Sequence, residues 1–201
     1  MPTPAGLHRI PQPAPYPAAA GLRLCLRSVT AQAHARLEAR FGALDLALLP
    51  GYRRFLEVNA AALLPLEAAL EAARVAEIFP DWELRSRQAA ILEDLTRVGG
   101  HATPLPVPRL LDFGGVLGTM YVLESTRLDA RGQLISVKRS SDPAVRHATA
   151  FLRHGAGHHF WPSFLAILES HAAADYETSA IDGAMRAFGM FERAAAQTRG
   201  T

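Results

Sequence analysis

The apolar residues between positions 22 and 41 recur three or four positions apart. This spacing places them on one face of an α-helix, so residues 22–41 are predicted to form an amphipathic helix. Few other stretches alternate apolar and polar residues as strands do. The helix-spaced residues are Leu22, Leu26, Val29, Ala33, Leu37 and Phe41.

Prolines, glycines and capping residues mark where further helices begin and end. Pro50 is expected to open a second helix, and Pro65 to kink or split it, because proline lacks the N–H that an α-helix needs. Asp81 is a candidate N-cap for a third helix, which should end at the Gly99–Gly100 pair. Residues 101–108 hold three prolines and are predicted to form a loop.

The second half of the chain predicts more helices of the same kind. A fourth helix is expected to begin near Arg109. The pair Asp142 and Pro143 combines an N-cap with a first-turn proline, so another helix should start there. That helix is expected to end at Gly155 and Gly157.

The last two helices complete an all-α pattern. One is predicted from about His159 to His171, and the other starts at Asp175 or Thr178. Seven or eight helices with short connections predict a single all-α domain, a multi-helix bundle over residues 21–201.

The composition is globular and does not suggest nucleic-acid binding. Hydrophobic residues make up 49% of the 201 residues, charged residues make up 20%, and the formal net charge is only +2. Lys138 is the only lysine, and the arginines form no basic block of the kind that binds nucleic acid. Nucleic acid is therefore not expected as a partner.

The remaining bulk features favour a soluble protein of the cytoplasm. Cys25 stands alone, which excludes a disulfide framework and a paired-cysteine metal site and fits a reducing compartment. The longest apolar run, around residues 114–123, is too short to span a bilayer. Residues 1–20 contain six prolines and cannot form the apolar core of a signal peptide, so this segment is predicted to be a flexible tail.

One histidine lies at the border of the apolar face of the first helix. The face is centred near Leu26. At 100° per residue, Thr30, His34 and Glu38 fall about 40°, 80° and 120° from that centre. A metal-binding imidazole usually donates its second ring N–H to an oxygen, and Glu38 is placed to accept it directly or through water. Taken alone, a boundary histidine is more often structural or surface-exposed than a ligand.

The residues around this histidine resemble the first-helix motif of bacterial haem oxygenases, of the biliverdin-producing type associated with bacteriophytochromes. The match is Leu26-Arg27-x-x-Thr30-x-x-x-His34-x-x-x-Glu38. The resemblance implies that His34 is the axial ligand of the haem iron and that Glu38 forms a hydrogen bond near it. It also implies that Arg27 contacts a haem propionate and that Thr30 belongs to the same binding surface.

A second match lies further along the chain. The run Gly118-Thr119-Met120-Tyr121-Val122-Leu123-Glu124 is similar to the start of the distal helix in the bacterial branch. This implies that Tyr121 is a haem contact. The segments around Trp161 and Phe188 also fit the family. The two ordered motifs predict a haem oxygenase-like bundle.

The sequence departs from the family along the distal helix. The bacterial motif continues with two glycines that let the backbone lie against the haem, and here Ser125 and Asp129 stand in their place. A Cβ at such a position pushes backbone and ligand apart. We take Thr126, Arg127 and Asp129 as candidate catalytic residues and Ser125 as a haem contact, with solvated helix-edge residues as the alternative for Thr126 and Arg127. Gly132 is a displaced glycine if the helix bends later than in the family.

Two functions compete on this evidence. The first is oxidative cleavage of haem to biliverdin, carbon monoxide and iron, with haem as both cofactor and substrate and electrons from an external ferredoxin or reductase. In bacterial relatives this reaction serves iron acquisition or supplies the chromophore of a bacteriophytochrome. The second is binding of haem or another small molecule without turnover, which the residues at 125 and 129 favour. A thiaminase-like enzyme on the same scaffold has no supporting motif.

Three histidines near the turn at 155–157 form the other group of candidate ligands. His154 and His158 are four apart, but the glycines between them argue against a shared helix face. No Glu-x-x-His or His-Glu-x-x-His motif occurs, so a ferritin-like di-iron or zinc-protease site is unsupported. We expect His154, His158 and His159 to lie in a loop or at a helix cap.

Overall fold

The computed structural model describes residues 21–108, 111–170 and 174–197. These residues form ten α-helices and one short 3-10 helix, with no strand among them, which confirms the all-α prediction. The predicted tail over 1–20, and the predicted boundaries at Arg109 and His171, lie outside the described residues. The 3-10 helix is Val75–Glu77, and the α-helices are α1 (Leu22–Gly42), α2 (Leu49–Ala72), α3 (Trp82–Arg85), α4 (Gln88–Arg97), α5 (Phe113–Leu128), α6 (Ala130–Lys138), α7 (Pro143–His147), α8 (Ala150–Arg153), α9 (Phe160–Ser170) and α10 (Ala174–Gln197).

The first two helices follow the predicted pattern. α1 buries its apolar stripe in the core, and α2 starts with Pro50 in its first turn. Pro65 does not split α2, which continues through it. Leu63 and Leu66 on either side of Pro65 are almost completely buried, so burial of the flanking side chains stabilises the helix across the proline.

The predicted third helix is two helices, α3 and α4, and the single-helix prediction is wrong. Glu67 of α2 is the reason. Its buried carboxylate accepts hydrogen bonds from the Ser86 hydroxyl at 2.6 Å, from the Arg87 backbone N–H at 2.9 Å and from the Gln88 backbone N–H at 3.2 Å. These bonds satisfy N–H groups at the start of α4, so a carboxylate from another helix acts as its cap.

The helix predicted from Asp142 is interrupted in the same way. Asp142 caps α7 as predicted, since its carboxylate accepts from the Ala144 N–H at 2.8 Å. The prediction of one helix up to the glycine pair is wrong, because α7 ends at His147 and α8 begins at Ala150. The buried carboxylate of Asp94 accepts from the N–H groups at 150 and 151, at 3.0 and 2.8 Å, and so starts α8 as a separate helix.

Glycines let α5 and α10 approach each other closely. An added Cβ at Gly118 would lie 2.8 Å from the backbone nitrogen of Ala184, and one at Gly183 would lie 2.6 Å from the carbonyl oxygen of Gly115. Real Cβ atoms do not tolerate such distances, so the two backbones are in direct contact. α10 also packs on α1 and α2, which makes it the centre of the bundle.

The chain bends between α5 and α6 at a single residue. Asp129 is both the C-cap residue of α5 and the N-cap residue of α6, with φ −80° and ψ −16°. Gly132 lies beyond this bend in the first turn of α6, and a Cβ added there would meet no atom within 4 Å. No helix in the described part of the chain is long and apolar enough to cross a membrane.

Gly118→Ala is expected to lower the free energy of unfolding by about 1–3 kcal/mol, because its methyl group would push α5 away from α10. Urea unfolding followed by circular dichroism measures the change. Gly132→Ala is the matched control: its methyl group enters open space, and alanine is favoured over glycine inside a helix, so stability should rise by up to about 1 kcal/mol. Equal losses in both variants would contradict the packing role of Gly118.

Candidate functional site

The main candidate site is a cavity of about 450 Å³ between α1 and the bend that joins α5 to α6. Its volume falls within the range of about 300–1,000 Å³ that is usual for small-molecule sites. Apolar side chains and polar or charged side chains both line it, and the polar ones come from facing helices. The lining includes His34 and Glu38 from α1, Arg87 before α4, and Thr126, Arg127 and Asp129 from the end of α5.

The two ring nitrogens of His34 face two different carboxylates. Its Nδ1 lies 3.6 Å from a carboxylate oxygen of Glu38, one turn further along α1. Its Nε2 lies 3.9 Å from a carboxylate oxygen of Asp129 across the cavity. The side chain is 33% exposed, and the edge of its ring contacts Phe188 with centroids 6.0 Å apart. A metal-binding imidazole has a similar orientation, with one nitrogen beside an oxygen and the other directed to the site.

Asp129 faces His34 from the junction between α5 and α6. Burial raises the pKa of Asp129, and the neighbouring His34 opposes that rise. One ligand atom from each of His34, Glu38 and Asp129 can be chosen so that all three lie within 4.8 Å of one another. Among the described residues this group has the donor atoms and spacing to hold a metal ion.

Arg27, Thr30 and Tyr121 lie together but outside the lining of this cavity. Thr30 is buried and donates a hydrogen bond to the Leu26 carbonyl at 2.7 Å. Burial raises the pKa of Tyr121, and a hydrogen bond with Thr30 and the positive charges of Arg27 and Arg23 oppose that rise. Tyr121 of α5 therefore contacts Thr30 of α1.

Ser125 and Thr126 occupy different surroundings although they are adjacent. Ser125 is buried and donates to the Val122 carbonyl at 2.9 Å, and it does not line the cavity. Thr126 lines the cavity, donates to the Leu123 carbonyl at 2.9 Å and accepts from Arg87 at 3.3 Å.

A buried cluster of charges lies behind the cavity, and the sequence analysis did not identify it as a cluster. Glu124 is 1% exposed and pairs with Arg85 at 3.1 Å and with Arg127 at 3.0 Å. Arg85 also binds Asp81 at 2.7 Å and the hydroxyl of Ser163 at 2.7 Å. Arg127, predicted as a catalytic residue, therefore has most of its hydrogen-bonding capacity committed to this cluster.

Arg87 is a functional candidate that sequence reasoning missed. It is 3% exposed, lines the cavity, and has no carboxylate within ion-pair distance among the described residues. One amino group donates to the Leu123 carbonyl at 3.1 Å, and the Nε of Arg87 has no hydrogen-bond partner in the part of the chain that the structure describes. Burial is the main cause that lowers the pKa of Arg87 to about 9, and repulsion from the positive charge of Arg127 adds to it. The connection between two helices gave no sequence signal for this role.

The three histidines at 154–159 form a loop, as predicted. Gly155 and Gly157 have φ of +80° and +86°, which ends α8. His154 Nδ1 lies 2.9 Å from an amino group of Arg127, and burial together with the charge of Arg127 lowers the pKa of His154 to about 4. His158 stacks on Phe160 with centroids 4.8 Å apart. No three-ligand group forms among these histidines in the described residues.

Comparison with known structures identifies the fold that these helices form. No protein-family model and no curated protein matches the sequence. The structure matches that of the NO- and CO-bound haem oxygenase from Neisseria meningitidis, with a TM-score of 0.68 over 90% of this chain and 92% of that one. The fold is that of a haem oxygenase. The two sequences are 17% identical, so the match establishes the fold, and the chemistry must be argued from the residues of the cavity.

The haem oxygenase fold agrees with the bundle that the two sequence motifs predict. Within it, the motif residues His34 and Glu38 lie on one wall of the main cavity, and the departing residue Asp129 lies on the facing wall. Of the other motif residues, Arg27 and Thr30 on α1 and Tyr121 on α5 do not line this cavity.

His154 should make stability depend on pH. Its pKa is lowered in the folded protein, so the unfolded chain binds a proton that the folded chain does not bind between about pH 6.5 and 4. The stability contributed by neutral His154 is therefore present above pH 6.5 and lost as the pH falls towards 4.

His154→Gln keeps an acceptor for Arg127 but cannot be protonated, so this part of the pH dependence should disappear. Urea unfolding across that pH range measures it. The exposed His147, changed to Gln, is the control and should behave as the wild type does. Identical slopes for His154→Gln and the wild type would show that His154 is not held neutral.

Proposed function

We propose that the main cavity binds haem with His34 as the axial ligand. We further propose that the protein is a haem oxygenase, which opens haem oxidatively to biliverdin, carbon monoxide and iron with electrons from an external ferredoxin or reductase. The observation that carries the proposal is the orientation of His34. Its Nε2 faces the cavity while its Nδ1 lies beside Glu38.

The residues present suit haem. A carboxylate beside Nδ1 fixes the tautomer and the ring orientation of a ligating histidine and raises its basicity. Apolar side chains such as Leu37, Phe41 and Phe55 line the cavity beside His34, which suits a flat apolar macrocycle. Bound haem would supply the redox chemistry, and the protein would supply orientation and electrostatics.

Other residues of the chain complete this proposal. Arg27, exposed on the same helix two turns before His34, would hold a propionate, with Tyr121 and Thr30 beside it. Arg87 would provide a hydrogen-bond donor to the cavity, and Thr126 would hold its guanidinium in place by accepting from it. In this role Arg87 is stronger than Arg127, because its Nε–H is unpartnered whereas Arg127 pairs with Glu124.

Asp129 favours a second candidate function, haem binding without turnover. Its carboxylate oxygen lies 3.9 Å from Nε2 of His34. Metal bonds to imidazole nitrogen and to carboxylate oxygen are each about 2 Å long, so a metal ion on Nε2 would come within bonding distance of Asp129. The carboxylate must then either turn aside or occupy the side of the metal that a reacting molecule needs.

His34→Ala should remove or strongly shift the Soret band that the purified wild-type protein forms with haemin. The loss follows because the imidazole is the nitrogen donor that faces the cavity. Absorption spectroscopy during a haemin titration measures it. His147→Ala, at an exposed position away from the cavity, should give the wild-type spectrum. Indistinguishable spectra for His34→Ala and the wild type would remove His34 as the axial ligand.

Asp129→Gly should raise the yield of bilin per haem when the haem complex is supplied with a reductant, because the competing carboxylate is gone. Bilin absorbance measures the yield. Ser125→Gly should give no comparable gain, since Ser125 is buried and bonded within its own helix. A haem complex that stays intact in the wild type and yields bilin in Asp129→Gly supports binding without turnover as the native state. No gain from either glycine, alone or together, would contradict the obstructing role of Asp129.

A further inference from the structure

A second cavity lies between the α5–α6 segment and residues 152–162, and the proposed haem site does not use it. Its volume is about 650 Å³. Arg127 lines both cavities and forms part of the wall between them. The remaining residues that matter here are Arg131, Arg153, His154 and Trp161.

The charge of this second cavity is unbalanced. Glu124 is the only carboxylate among the described residues that line it, and its charge is already paired with Arg85 and Arg127. Arg131 and Arg153 are exposed, and neither has an ion-pair partner among the described residues. The cavity therefore carries excess positive charge with no internal counter-ion, which attracts an anion.

His154 adds a directed hydrogen-bond donor. Arg127 can only donate, so the Nδ1 of His154 that lies 2.9 Å away must accept. A neutral imidazole that accepts at Nδ1 carries its proton on Nε2. This Nε2–H has no partner among the described residues, and it is available to a ligand.

Apart from His158 and His159, the rest of the wall is apolar. Trp161, Leu128 and Leu134 line it together with alanine and proline side chains. A bare inorganic anion would leave this apolar wall in contact with water, whereas an anion on a flat apolar body would cover it.

We propose that this second cavity binds an organic anion, a carboxylate carried on an aromatic body. The carboxylate accepts from the Nε2–H of His154 and lies between the guanidinium groups of Arg131 and Arg153. The aromatic body packs against Trp161 and the leucines. This binding does not depend on haem or on His34.

The test is a calorimetric titration of the haem-free protein with 2-naphthoate, an aromatic carboxylate. One molecule should bind per chain. The neutral alcohol 2-naphthalenemethanol and inorganic phosphate should each bind at least ten times more weakly, because one lacks the charge and the other lacks the apolar body.

Matched variants locate the site. The double variant Arg131→Gln with Arg153→Gln should weaken 2-naphthoate binding at least tenfold. Arg139→Gln removes an exposed arginine that follows α6 but does not line the cavity, and it should leave binding unchanged. Both residues of the double variant are exposed and unpaired, so the protein should fold, and circular dichroism checks this.

Three results would overturn the proposal. They are absence of saturable 2-naphthoate binding, equal binding of the neutral alcohol, and a double variant that binds as well as the wild type. A haem spectrum that fails to form would not affect any of them, so this inference and the proposed function stand or fall separately.

Discussion

The buried carboxylate of Glu124 is the interaction on which the site depends. It lies near the end of α5 and binds two guanidinium groups, those of Arg85 in α3 and Arg127 in α5. Arg85 also donates to Ser163 near the start of α9, and Arg127 donates to the Arg85 carbonyl, so α3, α5 and α9 are joined at this point. A buried charge is tolerated only with such partners, and removing one partner typically costs about 3–5 kcal/mol. Because this cluster fixes the last turn of α5, it also fixes the place where the chain bends at Asp129 and the direction in which that carboxylate points.

Helix starts that are capped by carboxylates from distant parts of the sequence separate the parts of the fold that could be predicted from those that could not. The helical periodicity and local signals such as the cap at Asp142 were sufficient to predict an all-α bundle, because these signals lie within a few residues of the helix they begin. The breaks before α4 and α8 were missed, because their caps come from Glu67 and Asp94 on other helices. A carboxylate distant in the sequence gives no local pattern, so two short helices were taken for one.

Some residues of the candidate site could be named from the sequence and others could not. The sequence named His34, Glu38 and Asp129 as candidates through the resemblance of the first helix and the replacement of an expected glycine, and all three line the cavity. Arg87 was not found, since it lies in a connection without periodicity and its importance comes from burial beside a cavity without a counter-ion. Ser125 and Asp129 looked equivalent as replacements, yet only Asp129 reaches the cavity, because the helix direction turns Ser125 into the core.

The glycine contact between α5 and α10 limits how the protein can adjust to guests of different size. Two backbones that touch cannot slide past one another without driving a side chain into the neighbouring main chain. The wall formed by α5 is therefore rigid, whereas α6 packs on α7 and α8 without such a backbone contact, so the adjustable wall of the cavity is the one that α6 forms. Plasticity in this molecule is thus confined to one side of its cavity.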